Sequence, residues 1–185
     1  NADTRGGGRG TSRTHKKSAQ GAAVVATSGA GGGKYGVAGS LAVNVATGAT
    51  QAVLSEGAVI TSQDGTADGA DTAIGPVNLN AVNTTYNLAS ATPKAEPASG
   101  KALGLGLSFS FNVSNVDTLT KMEETAAVPA ADDMSMTATS NYTMATQAKA
   151  GAKAGSTGKA FAGSIALGVA MNDTRSLVAG DDAAT

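Results

Sequence analysis

One short block recurs three times in this chain: Gly39-Ser-Leu-Ala-Val-Asn-Val45, Leu107-Ser-Phe-Ser-Phe-Asn-Val113 and Gly163-Ser-Ile-Ala-Leu-Gly-Val169. Each copy has Ser second and apolar residues third, fifth and seventh. Strict alternation of this kind marks a strand that presents one apolar face. A helix would need apolar residues at i, i+3, i+4 and i+7, and these segments do not supply them. Recurrence along the chain marks a repeat architecture, in which no unit buries its hydrophobic face alone.

The repeat extends beyond the block. Gly-Lys precedes each copy, at Gly33-Lys34, Gly100-Lys101 and Gly158-Lys159. Asp117-Thr118 and Asp173-Thr174 follow copies two and three. A second motif pairs Val77-Asn-Leu-Asn-Ala81 with Met134-Ser-Met-Thr-Ala138. Tyr86-Asn-Leu-Ala then pairs with Tyr142-Thr-Met-Ala, after a slip of one residue. The chain therefore divides into the end of a preceding unit plus a Gly-rich spacer (1–33), unit 1 (34–100), unit 2 (101–158) and the start of unit 3 (159–185), read as a window on a longer polypeptide.

The predicted fold is an all-β repeat solenoid resembling a parallel β-helix, with an antiparallel β-sandwich repeat as the alternative. Known solenoid periods suggest about three rungs of ~20 residues in each unit. Composition agrees: Gly numbers 25 and aromatics make up 3% of the chain, too few to fill a thick core. The expected core is the apolar face of the blocks: Leu41, Val43, Val45, Leu105, Leu107, Phe109, Phe111, Ile165, Leu167 and Val169. The opposite face is small and uncharged, and is expected to pack under a second layer or against a neighbouring chain.

Candidate chemistry is sparse. Cysteine is absent, which removes disulfides, thiol catalysis and cysteine-ligated metals. Asp64, Asp68 and Asp71 share a Gly-rich loop and are the candidate calcium ligands, with Asp181-Asp182 a second acidic pair. Neither has the ligand spacing of an established calcium motif, so a solvated acidic turn is the preferred reading. His15, the single histidine, has no Ser, Cys or carboxylate at a catalytic spacing. Glu123-Glu124 and Asp132-Asp133 neither support nor exclude glycosidase chemistry. Gly31-Gly-Gly-Lys-Tyr-Gly36 fits a dinucleotide fingerprint formally, but no strand-to-helix context precedes it. Asn83, Asn112, Asn141 and Asn172 each head a glycosylation sequon, as expected from composition. Thr137-Ala-Thr139 is a single T-x-T row of the kind ice-binding solenoids repeat.

Charge is uneven. Residues 1–17 hold Arg5, Arg9, Arg13, Lys16 and Lys17 against Asp3, while the formal net charge of the whole chain is −1. No aromatic residue interleaves with these basic ones, so no nucleic-acid partner is expected. No apolar run reaches the length of a membrane-spanning helix, and no direct membrane insertion is expected.

The block Gly39 to Val45, followed by a Thr-containing turn and Gly57-Ala-Val-Ile60, resembles the repeats of very large secreted bacterial adhesins, the leukotoxin-like and haemagglutinin-like filamentous surface proteins. That resemblance implies a parallel β-solenoid segment of a secreted or cell-surface protein with no active site of its own. The expected function is a structural or adhesive repeat of an extracellular fibre. The expected partners are neighbouring repeats, a homo-oligomer or filament, or host and cell-surface glycans or proteins. The alternatives are a self-assembling filament subunit and, third, a β-helix enzyme acting on polysaccharides.

Overall fold

The structure is a computed structural model describing residues 12–30, 35–60, 75–95, 103–129 and 131–179. It is all-β, with six strands: β1 (Ser12–Ala30), β2 (Tyr35–Leu54), β3 (Gly75–Ala95), β4 (Leu103–Met122), β5 (Ala131–Ala148) and β6 (Lys159–Val178). Odd strands form one sheet in the order β1-β3-β5, and even strands form a second in the order β2-β4-β6. Every neighbouring pair is parallel. Consecutive strands alternate between sheets, so the chain winds as a two-sheeted solenoid.

Side-chain contacts between the sheets fix the direction of travel. Ser108 reaches Lys149 and Thr120 reaches Thr137, while Asn112 between them reaches Ala145. The paired numbers fall on one strand as they rise on the other, so β5 runs opposite to β4. One turn of the solenoid is thus one strand out and one strand back. At about 3.3 Å per residue, a 20-residue strand spans ~65 Å, far longer than the usual five or six residues. The expectation of three short rungs per unit is corrected: each unit contributes one long strand to each sheet, because turn signals occur only at the ends of these runs.

The repeated blocks stack in register. Ser40, Ser108 and Ser164 occupy one ladder position, and Val45, Val113 and Val169 another. The second motif aligns likewise, Val77 with Met134 and Ala81 with Ala138. The one-residue slip at the tyrosines is not followed. Tyr142 lies opposite Thr85 and Tyr86 opposite Thr143, so the two rings point to opposite sides of the sheet. Ladder hydrogen bonds continue at uniform spacing, and a slip would reverse every side chain beyond it. The one irregularity in these ladders lies between Gly75 and Val77, where Asp132 and Asp133 are accommodated as a bulge at the start of β5.

The expected core residues are the main correction. Leu41, Val43, Val45, Leu105, Leu107, Phe109, Phe111, Ile165, Leu167 and Val169 all point outward from β2-β4-β6, with Leu41 at 64% and Phe109 at 46% relative exposure. Between the sheets lie the residues of opposite parity: Ala42, Asn44, Ser108, Ser110, Asn112, Ser114, Val116 and Thr118 from the even strands. They face Val77, Leu79, Ala81, Asn83, Thr85, Asn87, Ala89 and Ala91 of β3.

The physical reason is spacing between the sheets. Asn112 Nδ2 donates to the backbone oxygens of Asn87 (3.4 Å) and Ala145 (3.2 Å), and Thr120 Oγ1 donates to Thr137 O (2.9 Å). A side chain as short as Ser108 bonds Lys149 O at 2.7 Å. Along the block, sheets close enough for Ser to span the gap leave no room for Phe or Leu, and the larger buried side chains, Leu79 and Val116, sit in the stretches beyond it. Burial of Ser108, Asn112 and Thr120 is offset by these bonds, whereas Ser110 Oγ and Thr118 Oγ1 are buried with no protein partner.

Two glycines serve the same close approach. A Cβ on Gly104 would sit 2.8 Å from Lys153 O, and one on Gly106 would collide with the Gly151 carbonyl. The link between β5 and β6 therefore crosses the inner side of β4 where side chains are missing.

Candidate functional surface

Ladders of polar side chains run through the interior across the rungs. Ser40 Oγ donates to Ser108 Oγ at 3.1 Å, and Asn44 Nδ2 donates to Asn112 Oδ1 at 3.1 Å. Asn87 Nδ2 joins the sheets through Ser114 Oγ at 2.8 Å. These atoms are engaged in holding rungs and sheets together, and a catalytic role would compete with that. Among the described residues, no group of three or more His, Cys, Asp and Glu is gathered closely enough to hold a metal ion.

The candidate site residues are dispersed. Asp64, Asp68, Asp71, Asp181 and Asp182 lie outside the described residues. His15 lies on β1, paired in the ladder with Asn80 of β3. Asp132 and Asp133 are exposed at the start of β5. Gly36 opens a strand rather than a helix, so the fingerprint at Gly31–Gly36 leads to no helix N-terminus that could receive a phosphate.

Glu123 has a structural task. It ends β4 at a turn stacked on the turn after β2. Its Oε2 accepts from Glu56 N at 3.1 Å and its Oε1 from Lys121 Nζ at 3.2 Å. The Glu56 N–H and then the Lys121 ammonium hold its carboxyl below the ordinary value of 4.5. Beside it, Thr125 Oγ1 accepts from Gly57 N at 3.0 Å, while Thr125 itself sits at φ 60°.

Of the four sequons, Asn83 and Asn112 are buried between the sheets and Asn141 is exposed on the outer face of β5. Thr137 and Thr139 also point outward. On β3 their neighbours are Asn80 and Val82, so the T-x-T row does not repeat.

Two broad outer faces remain, and they differ in kind. The outside of β1-β3-β5 carries mainly small polar residues: Thr84 and Ser90 from β3, Ser135, Thr137, Thr139, Asn141 and Gln147 from β5, with Val25, Tyr86 and Leu88 among them. The outside of β2-β4-β6 is an apolar grid. Its rows read Val37-Leu105-Phe161, Leu41-Phe109-Ile165, Val43-Phe111-Leu167 and Val45-Val113-Val169 across the three strands. Beyond Val113 the face turns polar. Arg175 bridges Asp173 at 3.1 Å and makes a longer ionic contact to Asp117 at 3.6 Å.

Sequence periodicity located this grid but assigned it to the inside. What it missed was the signal in the companion residues, since Ser and Asn along the block can bond across a gap too narrow there for Phe or Leu. No family model, no curated protein and no solved structure matches the chain.

Proposed function

We propose that this chain is a structural and adhesive repeat segment of a secreted or cell-surface bacterial fibre protein, and that it serves by building surface. The observation that carries the reading is the length of the strands within each rung. Stacking one more unit of about 60 residues adds only ~4.8 Å along the solenoid axis, while it adds a row ~65 Å wide to each outer face. A chain used to gain reach would spend its residues differently. Rows of matched residues repeated in register create two extended faces of distinct chemistry, the form an adhesive or packing module needs. The likeness of the block to the repeats of filamentous adhesins supports the extracellular setting. Binding is assigned to the outer faces and the connecting loops, with no catalysis by the chain itself.

Small-angle scattering from chains carrying two, four and six tandem units tests this. The long dimension should stay near 65 Å until the stack outgrows it, and a retention assay on immobilised glycans and cell-surface proteins should rise with unit number. Particles that lengthen by tens of ångströms per unit would refute the surface-building reading.

Open edges favour a second reading, the self-assembling filament subunit. β6 is exposed on both faces along nearly its whole length, as is the free edge it presents beside β5. Parallel edges with unpaired backbone groups template further strands. Fibres that grow with concentration and bury these edges would support it.

A further inference from the structure

We propose that the apolar outer face of β2-β4-β6 packs against the same face of a second copy of this chain. Three observations select that occupant. The first is area. The face spans three strands about 4.8 Å apart and ~65 Å long, or ~1,000 Å² in plan. A stable interface needs about 800 Å² from each partner. The apolar block covers almost half of this face and the polar stretch around Asp117, Asp173 and Arg175 borders it, matching the apolar centre and polar rim of protein interfaces.

Relief is the second. Leu107 stands between Gly39 and Gly163 and leans over Gly163, where an added Cβ would meet Leu107 Cδ2 at 3.4 Å, so its row carries a single projecting side chain with an open gap on the Gly39 side. At Gly39 an added Cβ would meet nothing closer than the Leu107 carbonyl at 3.7 Å. The next row, which holds Phe109, projects from all three strands. A face with both projections and gaps is complementary to itself under a two-fold axis, whereas a smooth apolar face would have no preferred register.

Charge is the third. The rim mixes Asp117, Asp173 and Glu123 with Arg175, Lys121 and Lys159, three charges of each sign, so it neither repels a copy of itself nor provides the basic border that an anionic lipid surface would require.

This pairing rests on and deepens the surface-building reading and can fail separately from it, since scattering reads how rungs stack within one chain and sedimentation reads the pairing of two chains. The test is sedimentation of the full chain over a concentration series. The expected result is a dimer in the wild type. Phe109→Glu should raise the dissociation constant at least about 30-fold, the effect of losing a central hot-spot side chain. Tyr86→Glu, on the other sheet, should leave the constant unchanged. The chain has no cysteine, so Leu107→Cys gives a single reporter that should form one disulfide-linked dimer under oxidation, which decides the matter even if Phe109→Glu fails to fold. A monomeric wild type, open-ended assembly indifferent to Phe109→Glu, absence of the Leu107→Cys cross-link, or capture of the monomer by phosphatidylserine vesicles without dimers would each overturn the pairing.

Discussion

Replacing Asn112 by Asp tests the inverted core with almost no change in shape. Asn112 is fully buried, its Nδ2 facing the carbonyl oxygens of Asn87 and Ala145 and its Oδ1 accepting from Asn44. Aspartate puts an oxygen where the amide nitrogen stood, so an ionised carboxylate would face two carbonyls. The folded chain must therefore keep the group protonated, and its folded pKa rises far above the ordinary value near 3.9. Holding it neutral at pH 7 costs about 1.4 kcal/mol for each of roughly three pH units, or ~4 kcal/mol. Exchange of two amide hydrogen bonds for at most one carboxyl hydrogen bond adds about 1 kcal/mol.

Total loss should be near 5 kcal/mol at pH 7 and about 1.5 kcal/mol at pH 4, where the unfolded carboxyl is still half ionised. The sign follows from linkage. A raised folded pKa on an acid destabilises above the unfolded pKa, and the penalty vanishes as pH falls below it. For a domain of this size, 5 kcal/mol corresponds to a Tm lower by ~10–20 °C.

Phe109→Asp, three residues away on the outer face, is the companion. Phe109 is 46% exposed, so its loss forfeits roughly 100 Å² of contact with its own chain, about 2.5 kcal/mol. The new carboxylate meets water, so that loss should barely change between pH 5 and 7. Thermal unfolding of both variants at pH 4, 5 and 7, at concentrations low enough to keep the chain monomeric, separates the two. The reasoning fails if Asn112→Asp is harmless at pH 7, or if Phe109→Asp shows the larger, pH-dependent loss.

Three further outcomes are expected. Gly106→Ala should cost about 1–3 kcal/mol and speed proteolysis between β5 and β6, because its methyl meets the Gly151 backbone; Gly48→Ala meets only the flexible Gln20 side chain and should cost less than half as much in the same denaturant titration. Thr125→Asn should raise stability by about 0.5–1 kcal/mol in urea unfolding, since Asn tolerates positive φ better than a β-branched residue and keeps an acceptor for Gly57 N. Because Glu123 has a lowered folded pKa, its contribution is present above the unfolded value of 4.5 and fades as pH falls through the folded one; Glu123→Gln should flatten that part of the stability profile below pH 4.5.

Much of the architecture is legible in the sequence, for a local reason. Parity along a strand is a property of the strand, so Leu105, Leu107, Phe109 and Phe111 share a face wherever that strand goes. Ladder stacking repeats the same local environment, so Ser40, Ser108 and Ser164 reveal their register by similarity alone. The candidate sites are less legible. In the sequence Glu123-Glu124 is only an adjacent carboxylate pair, and only the stacked turn bearing Glu56 and Gly57 gives Glu123 and Thr125 their partners. The tyrosine pair misleads in the opposite sense, since similar letters invite a slip that the hydrogen-bond ladder does not permit.

Which side of each strand faces inward was settled by tertiary structure. Alternation is symmetric: it divides a strand into two faces without saying which meets the opposing sheet. Hydrophobicity assigns the large apolar face to the interior, but along the block the sheets approach closely enough for Ser108 and Asn112 to bond the opposite backbone, and there that distance excludes Phe and Leu. The sequence by itself determined the strands, their register and the existence of an apolar face. The narrow gap between the sheets along the block decided that this face points out.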